Sequence, residues 1–107
     1  MSAFTTPKPV VLINTFTVKP GKMDEFLALQ RAALEQFRGR IPGWRGGRLH
    51  RALDGNTAVM MSVFESADAH RRFLETPGFD AHRARVLPLI EDAQPVYYEV
   101  VHESGLL

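Results

Sequence analysis

Apolar residues recur along this chain with two spacings, one of two residues and one of three to four, and the switches between them mark the elements. The run VVLINTFTV, 10–18, places Val10, Leu12, Asn14, Phe16 and Val18 on one face of a strand. Val11, Ile13, Thr15 and Thr17 share the other. Both faces are at least half apolar, so both are expected to be covered. Pro20, then Asp24 and Glu25 near the positive helix end, begin a helix with Met23, Phe26, Leu27, Gln30, Leu34 and Phe37 at helical spacing. It runs to about Arg38 and stops before Gly39 and Pro42.

WRGGRLHRAL, 44–53, is a second strand in which Gly46 and Gly47 signal a bulge or a close backbone approach. Asp54-Gly55-Asn56 is a hairpin turn into a third strand, TAVMMSVFE, 57–65. Ser66 caps a short helix that stops around Thr76-Pro77-Gly78. A further helical stretch over 79–91 carries Phe79, His82, Arg83, Val86 and Ile90 on one face, with Pro88 distorting it. After Pro95 the pattern predicts a last strand, VYYEVVHE, 96–103. The order β, α, β, β, α with a helical extension, β is the split βαβ of an α+β, ferredoxin-like domain with a four-stranded antiparallel sheet. Helices cover only one face of such a sheet. The other needs a partner, and a homodimer with two sheets face to face is the simplest supply. The domain is read as 10–103, between a loose arm at 1–9 and a tail at 104–107.

A length of 107 residues allows one domain. The absence of cysteine removes disulfides, thiolate metal sites and cysteine nucleophiles, and suits a reducing cytoplasm. The early apolar run Val10 to Ile13 is too short for a signal segment or a membrane span, so a soluble cytoplasmic protein is expected. Charge is uneven: residues 1–53 hold nine basic and three acidic side chains, residues 54–107 four and nine. Arg38, Arg40, Arg45, Arg48 and Arg51 with His50 make the basic cluster. A net charge of +1 and a lone Trp44 argue against nucleic-acid binding, and pairing with the acidic half, within or between subunits, is the expected use.

The runs INTFTVKPGKMDEF (13–26), IPGW (41–44), LHRALDGN (49–56), FES (64–66) and PGFDAH (77–82) resemble the antibiotic biosynthesis monooxygenase superfamily of dimeric α+β barrels. The resemblance covers about residues 10–103. It implies oxygen chemistry on a polycyclic aromatic substrate, quinol- or anthrone-like, with no flavin or nicotinamide, and no G-x-G-x-x-G occurs here. In the haem-degrading branch an Asn on the first strand, a helical Trp and a later His act on haem. Asn14 and His82 match two of these positions, and Phe73 stands at the Trp position. In the polyketide-pathway branch an Asn and a Trp lie four apart on the third strand, where this chain has Met60 and Phe64. The resemblance thus leaves three readings open: a cofactor-free oxygenase, a haem-binding monooxygenase with His82 as the iron ligand, and a ligand-binding accessory module.

Asn14 on an apolar strand face marks a cavity, because a buried amide without partners costs roughly 1–3 kcal/mol. His82 shares its face with Phe79 and Val86, so it points at the sheet, where a neutral imidazole accepts a phenolic proton near pH 7 or ligates iron. Asn14 and His82 are therefore the candidate catalytic pair. Met60, Phe64, Phe73 and Phe79 are core first, and would wall a pocket for a flat aromatic ligand. Tyr98, in phase with Val96 and Val100, is expected to be the better buried of the two tyrosines and joins that set. His70 lies near the face of Phe73, where it could line the pocket, but a place on the helix surface is the first expectation. The four histidines lie on different elements without an i, i+3 or i+4 pair, so no mononuclear metal site is expected.

Overall fold

The computed structural model describes residues 8–106; the arm expected at 1–9 lies outside the described residues except for Lys8 and Pro9, which are exposed and irregular. Strand β1 (Val10–Val18) leads through helix α1 (Met23–Phe37) to the hairpin of β2 (Trp44–Arg51) and β3 (Thr57–Phe64). Helices α2 (Ala67–Leu74) and α3 (Pro77–Val86) follow, then a short 3₁₀ turn over Leu87–Leu89 and strand β4 (Ile90–Tyr98). The strands form one antiparallel four-stranded sheet in the order β2-β3-β1-β4, the ferredoxin-like α+β arrangement.

Alternation along β1 and β3 decides what the helices cover. Phe16 and Val18 on β1 and Ala58 on β3 join Phe26 of α1, Val86 of α3 and Leu89 in the core, with the Phe16 and Phe26 rings 5.0 Å apart. The opposite face carries Val11, Ile13, Met61, Val63, Val96 and Tyr98 in register, and its β4 members are open, Val96 at 44% and Tyr98 at 49% exposure.

The glycine pair of β2 does what its position predicts. Register shifts between Trp44 and Gly46, and a Cβ on Gly47 would lie 2.6 Å from the Met61 carbonyl oxygen. At the hairpin tip Asn56 ties the turn to β1: its backbone oxygen accepts from Val18 N at 2.8 Å and its side-chain amide donates to Val18 O at 3.2 Å.

Two segments differ from the expected boundaries. Helix α3 begins at Pro77, since Thr76 is its cap and proline suits the first helical position. The last strand begins at Ile90, not at 96, and residues 99–106 form neither helix nor strand. Its first half, IEDAQP, lacks strand patterning because β4 is an edge strand bonded only to β1, where acids and Pro95 are tolerated. Among the described residues the expected pairing between the basic and acidic halves is also absent within the chain. Among the described residues the ion pairs are Lys22–Glu25, Glu35–Arg38 and Asp68–Arg71, each three residues apart. The β2 arginines and the acids Glu91 and Asp92 of β4 lie on opposite edges of the sheet.

Candidate active site

Helices α2 and α3 meet at a polar joint that shapes one wall of a cavity. Thr76 Oγ1 donates to Phe73 O at 2.8 Å, closing α2, and accepts from Phe79 N at 3.2 Å, opening α3. The joint sets Phe73 and Phe79 edge to face at 5.3 Å, and Phe37 of α1 packs edge-on to Phe73 at 5.1 Å. Between these rings and the sheet lies a cavity of about 680 Å³, large enough for a flat polycyclic ligand. Met60, Phe64, Phe73 and Phe79 all line it, as do Asn14 and His82. A smaller cleft of about 360 Å³, with Arg40 and Arg72 on its rim, shares Phe37 and Phe73 with it.

Asn14 lies midway along β1, facing Met60 on β3 and Pro95 on β4. Neither neighbour has a side-chain group that bonds an amide. Asn14 Oδ1 is buried with no hydrogen-bond partner, the one such side-chain atom among the described residues. An orphan acceptor in an apolar wall is costly unless a ligand supplies the donor.

His82 comes from α3 and meets Gln30 of α1. With Gln30 Oε1 as acceptor, His82 Nε2 carries the proton of this hydrogen bond and Nδ1 keeps a lone pair. Gln30 is buried at 6% exposure and has no charge to offer. Burial, and secondarily the Arg85 guanidinium, hold the His82 pKa below its usual value. The ring is therefore neutral at pH 7.

The structure also places residues that the pattern of the sequence left aside or placed elsewhere. His70 is not on the helix surface; it is buried at 7% exposure and lines the cavity. Its Nδ1 lies 2.6 Å from Tyr97 Oη, and Phe64 packs against its ring at 4.9 Å. Tyr97, paired with Leu12, is on the helix-covered side, whereas Tyr98, paired with Val11, is on the opposite face and outside the cavity. The strand begins earlier than expected, but the face is set by pairing with β1. Val96 and Tyr98 belong to the uncovered face, so phase with Val96 signalled exposure. Trp44, Ser62 and Gln30 are further cavity residues. Gln30 had a visible signal, a polar amide at an apolar position of a helical stripe; His70 and Tyr97 meet only through tertiary packing.

Among the described residues no three His, Asp or Glu side chains gather as a metal-binding group, and no helix is long and apolar enough to cross a membrane.

The architecture is shared with solved structures. SnoaB, a cofactor-independent oxygenase from Streptomyces nogalater, is 28% identical over 90% of this chain and 96% of that one, with a TM-score of 0.79. A point mutant of SnoaB is 29% identical over the same shares, with a TM-score of 0.80. Rv0793 from Mycobacterium tuberculosis, 23% identical, matches 92% of this chain and all of that one at a TM-score of 0.78, a likeness of fold. No curated protein sequence matches the chain significantly. The profile of the family described as antibiotic biosynthesis monooxygenase matches residues 9–85, from the first strand through the helix that carries His82, and the chain therefore belongs to that family.

Proposed function

We propose that this protein is a cofactor-independent oxygenase that converts a polycyclic phenol or anthrone-like substrate to a quinone with O2. The observation that carries the reading is Asn14 Oδ1, a buried acceptor without a partner in the same apolar cavity as a neutral histidine. A substrate hydroxyl supplies the missing donor. The described character of SnoaB supports the same chemistry.

His82 takes a proton from the substrate, leaving an electron-rich carbanion or its enolate form. This anion passes one electron to O2, and the radical pair joins at carbon to give a peroxide. Protonation and loss of water then leave a carbonyl, so one oxygen atom enters the product and the other leaves as water. The Asn14 amide holds the substrate hydroxyl and the developing oxyanion, and Met60, Phe64, Phe73 and Phe79 exclude water. The apolar side chains at Met60 and Phe64, in place of the Asn and Trp of the polyketide-pathway branch, leave Asn14 as the polar anchor of this wall.

The haem reading fits less well. Phe73, the residue at the haem-distorting Trp position, is occupied in edge-on packing with Phe37 and Phe79.

We further propose a homodimer joined through the uncovered sheet face, with a small aromatic substrate and O2 as the other partners. The domain reading, 10–103 between short flanking segments, belongs to the same proposal. Oxygen uptake with anthrones and hydroquinones tests the function. Expected are quinone formation with about one O2 consumed per product, and a loss of roughly 10²-fold or more in His82→Ala. Uptake that is absent in the wild type, or unchanged in both His82→Ala and Asn14→Ala, overturns it.

A further inference from the structure

His70 is a second imidazole in the cavity, itself buried, and nothing in the chemistry above uses it. One ring nitrogen, Nδ1, meets Tyr97 Oη at 2.6 Å. Among the described residues no hydrogen bond takes up the other, Nε2, and His70 lines the cavity. Tyr97 sits at the end of β4 with 38% of its surface exposed. The two rings thus run from an apolar chamber to solvent. Arg71, held by Asp68 at 2.7 Å, lies 5.9 Å from the Tyr97 ring centroid, where a cation favours transient negative charge on the phenol.

We infer that His70 and Tyr97 form a proton relay between the cavity and water, with His70 the catalytic acid that protonates the peroxide. The inference rests on the oxygenase reading for its role in turnover. In the starting tautomer His70 carries its proton on Nε2, and Tyr97 donates to Nδ1. His70 passes the Nε2 proton to the peroxide anion, Nδ1 takes the Tyr97 proton, and Tyr97 is refilled from water. When the hydroperoxide then loses its carbon-bound proton to Nε2, the chain runs backwards and releases one proton to water through Tyr97. The hydroxide that leaves takes the proton His82 removed at the start, giving water. One abstraction and one donation return both residues to their first state, and the sum is substrate CH2 plus O2 to carbonyl plus water.

A relay needs both His70 tautomers populated, whereas a purely structural hydrogen bond fixes one. Long-range nitrogen–proton NMR on ¹⁵N-labelled wild-type protein, without ligand, distinguishes them. The relay predicts the minor tautomer at about a tenth or more and its collapse in Tyr97→Phe. A single tautomer in the wild type overturns it, and that spectrum decides even if the variant fails to fold. In turnover with an anthrone, Tyr97→Phe is expected to lose about 10-fold or more in oxygen uptake and most of its solvent deuterium isotope effect. A wild type with both tautomers but no oxygen uptake removes the oxygenase reading and leaves the relay standing. An unchanged isotope effect in Tyr97→Phe removes the relay and leaves the oxygenase.

Discussion

Gln30 and His82, 52 positions apart, join α1 to α3 through one side-chain hydrogen bond inside the cavity. The partner is an amide, and this sets the base. A carboxylate in its place would favour the imidazolium, whereas the amide orients the ring and leaves it neutral. Gln30→Glu is therefore expected to raise the His82 pKa by about one unit or more, read by NMR titration, and to move the acid limb of the rate profile to higher pH. Gln30→Leu keeps the volume and frees Nε2. It is expected to lower kcat more than it changes KM, because it loosens the ring that takes the proton.

Asn14 invites a separation of stability from activity. Its buried Oδ1 has no partner, so Asn14→Leu removes an unsatisfied acceptor and adds apolar area facing Met60. The variant is expected to be more stable by about 1 kcal/mol in urea unfolding while losing roughly 10²-fold in kcat. A variant that is destabilised and fully active would show that Asn14 serves the fold.

The fold was legible where local patterning and tertiary demand agree. Val10–Val18 shows both faces of a central strand, Asp54-Gly55-Asn56 marks the hairpin, and Gly46-Gly47 marks the irregularity of β2. It was illegible at Ile90–Pro95, because an edge strand tolerates acids and proline that a central strand does not. Asn14 and His82 were visible as polar residues on apolar faces. Their partners were not equally visible: Gln30 stood out on the stripe without a stated role, and the pairing of His70 with Tyr97 spans 27 positions and depends on which face of β4 each tyrosine takes. That phase followed β1, not the hydrophobicity of the tail.

Both cavity histidines make stability depend on pH in one direction. Burial is the leading cause of the lowered pKa in His70 and His82, with Arg71 and Arg85 adding to it. The unfolded chain, with pKa near the ordinary 6.5, binds protons that the folded chain refuses. Stability is thus flat above that value and falls as pH drops below it through the lowered folded values. Thermal unfolding between pH 8 and 5 checks this, and His70→Gln or His82→Gln is expected to flatten the slope below about pH 6.5.

Gly43 is the tightest backbone approach between the loop before β2 and α2. Its φ is +83°, and a Cβ there would lie 2.7 Å from Ala69 Cβ. The same glycine accepts a hydrogen bond from Glu65 N at 2.7 Å, which holds the end of β3. Gly43→Ala therefore combines backbone strain with a clash, and is expected to cost about 2–3 kcal/mol by denaturant unfolding. Gly43→Ala with Ala69→Gly removes the clash but keeps the strain, so it is expected to recover part of the loss.

The uncovered sheet face makes a prediction that depends on symmetry. Ile13 pairs with Met61 on one side and Val96 on the other, at the middle of the apolar patch. In a two-fold dimer the patch meets a copy of itself, so a charge at its centre faces the same charge. Ile13→Lys is expected to weaken self-association by about 10²-fold or more, read by sedimentation, and Ile13→Glu to do the same. Mixing the two variants places Lys near Glu across the interface and is expected to restore a dimer in which each partner appears once. Circular dichroism on each variant separates dissociation from unfolding. If both variants stay folded and sediment as the wild type does, the two sheets do not meet through this face.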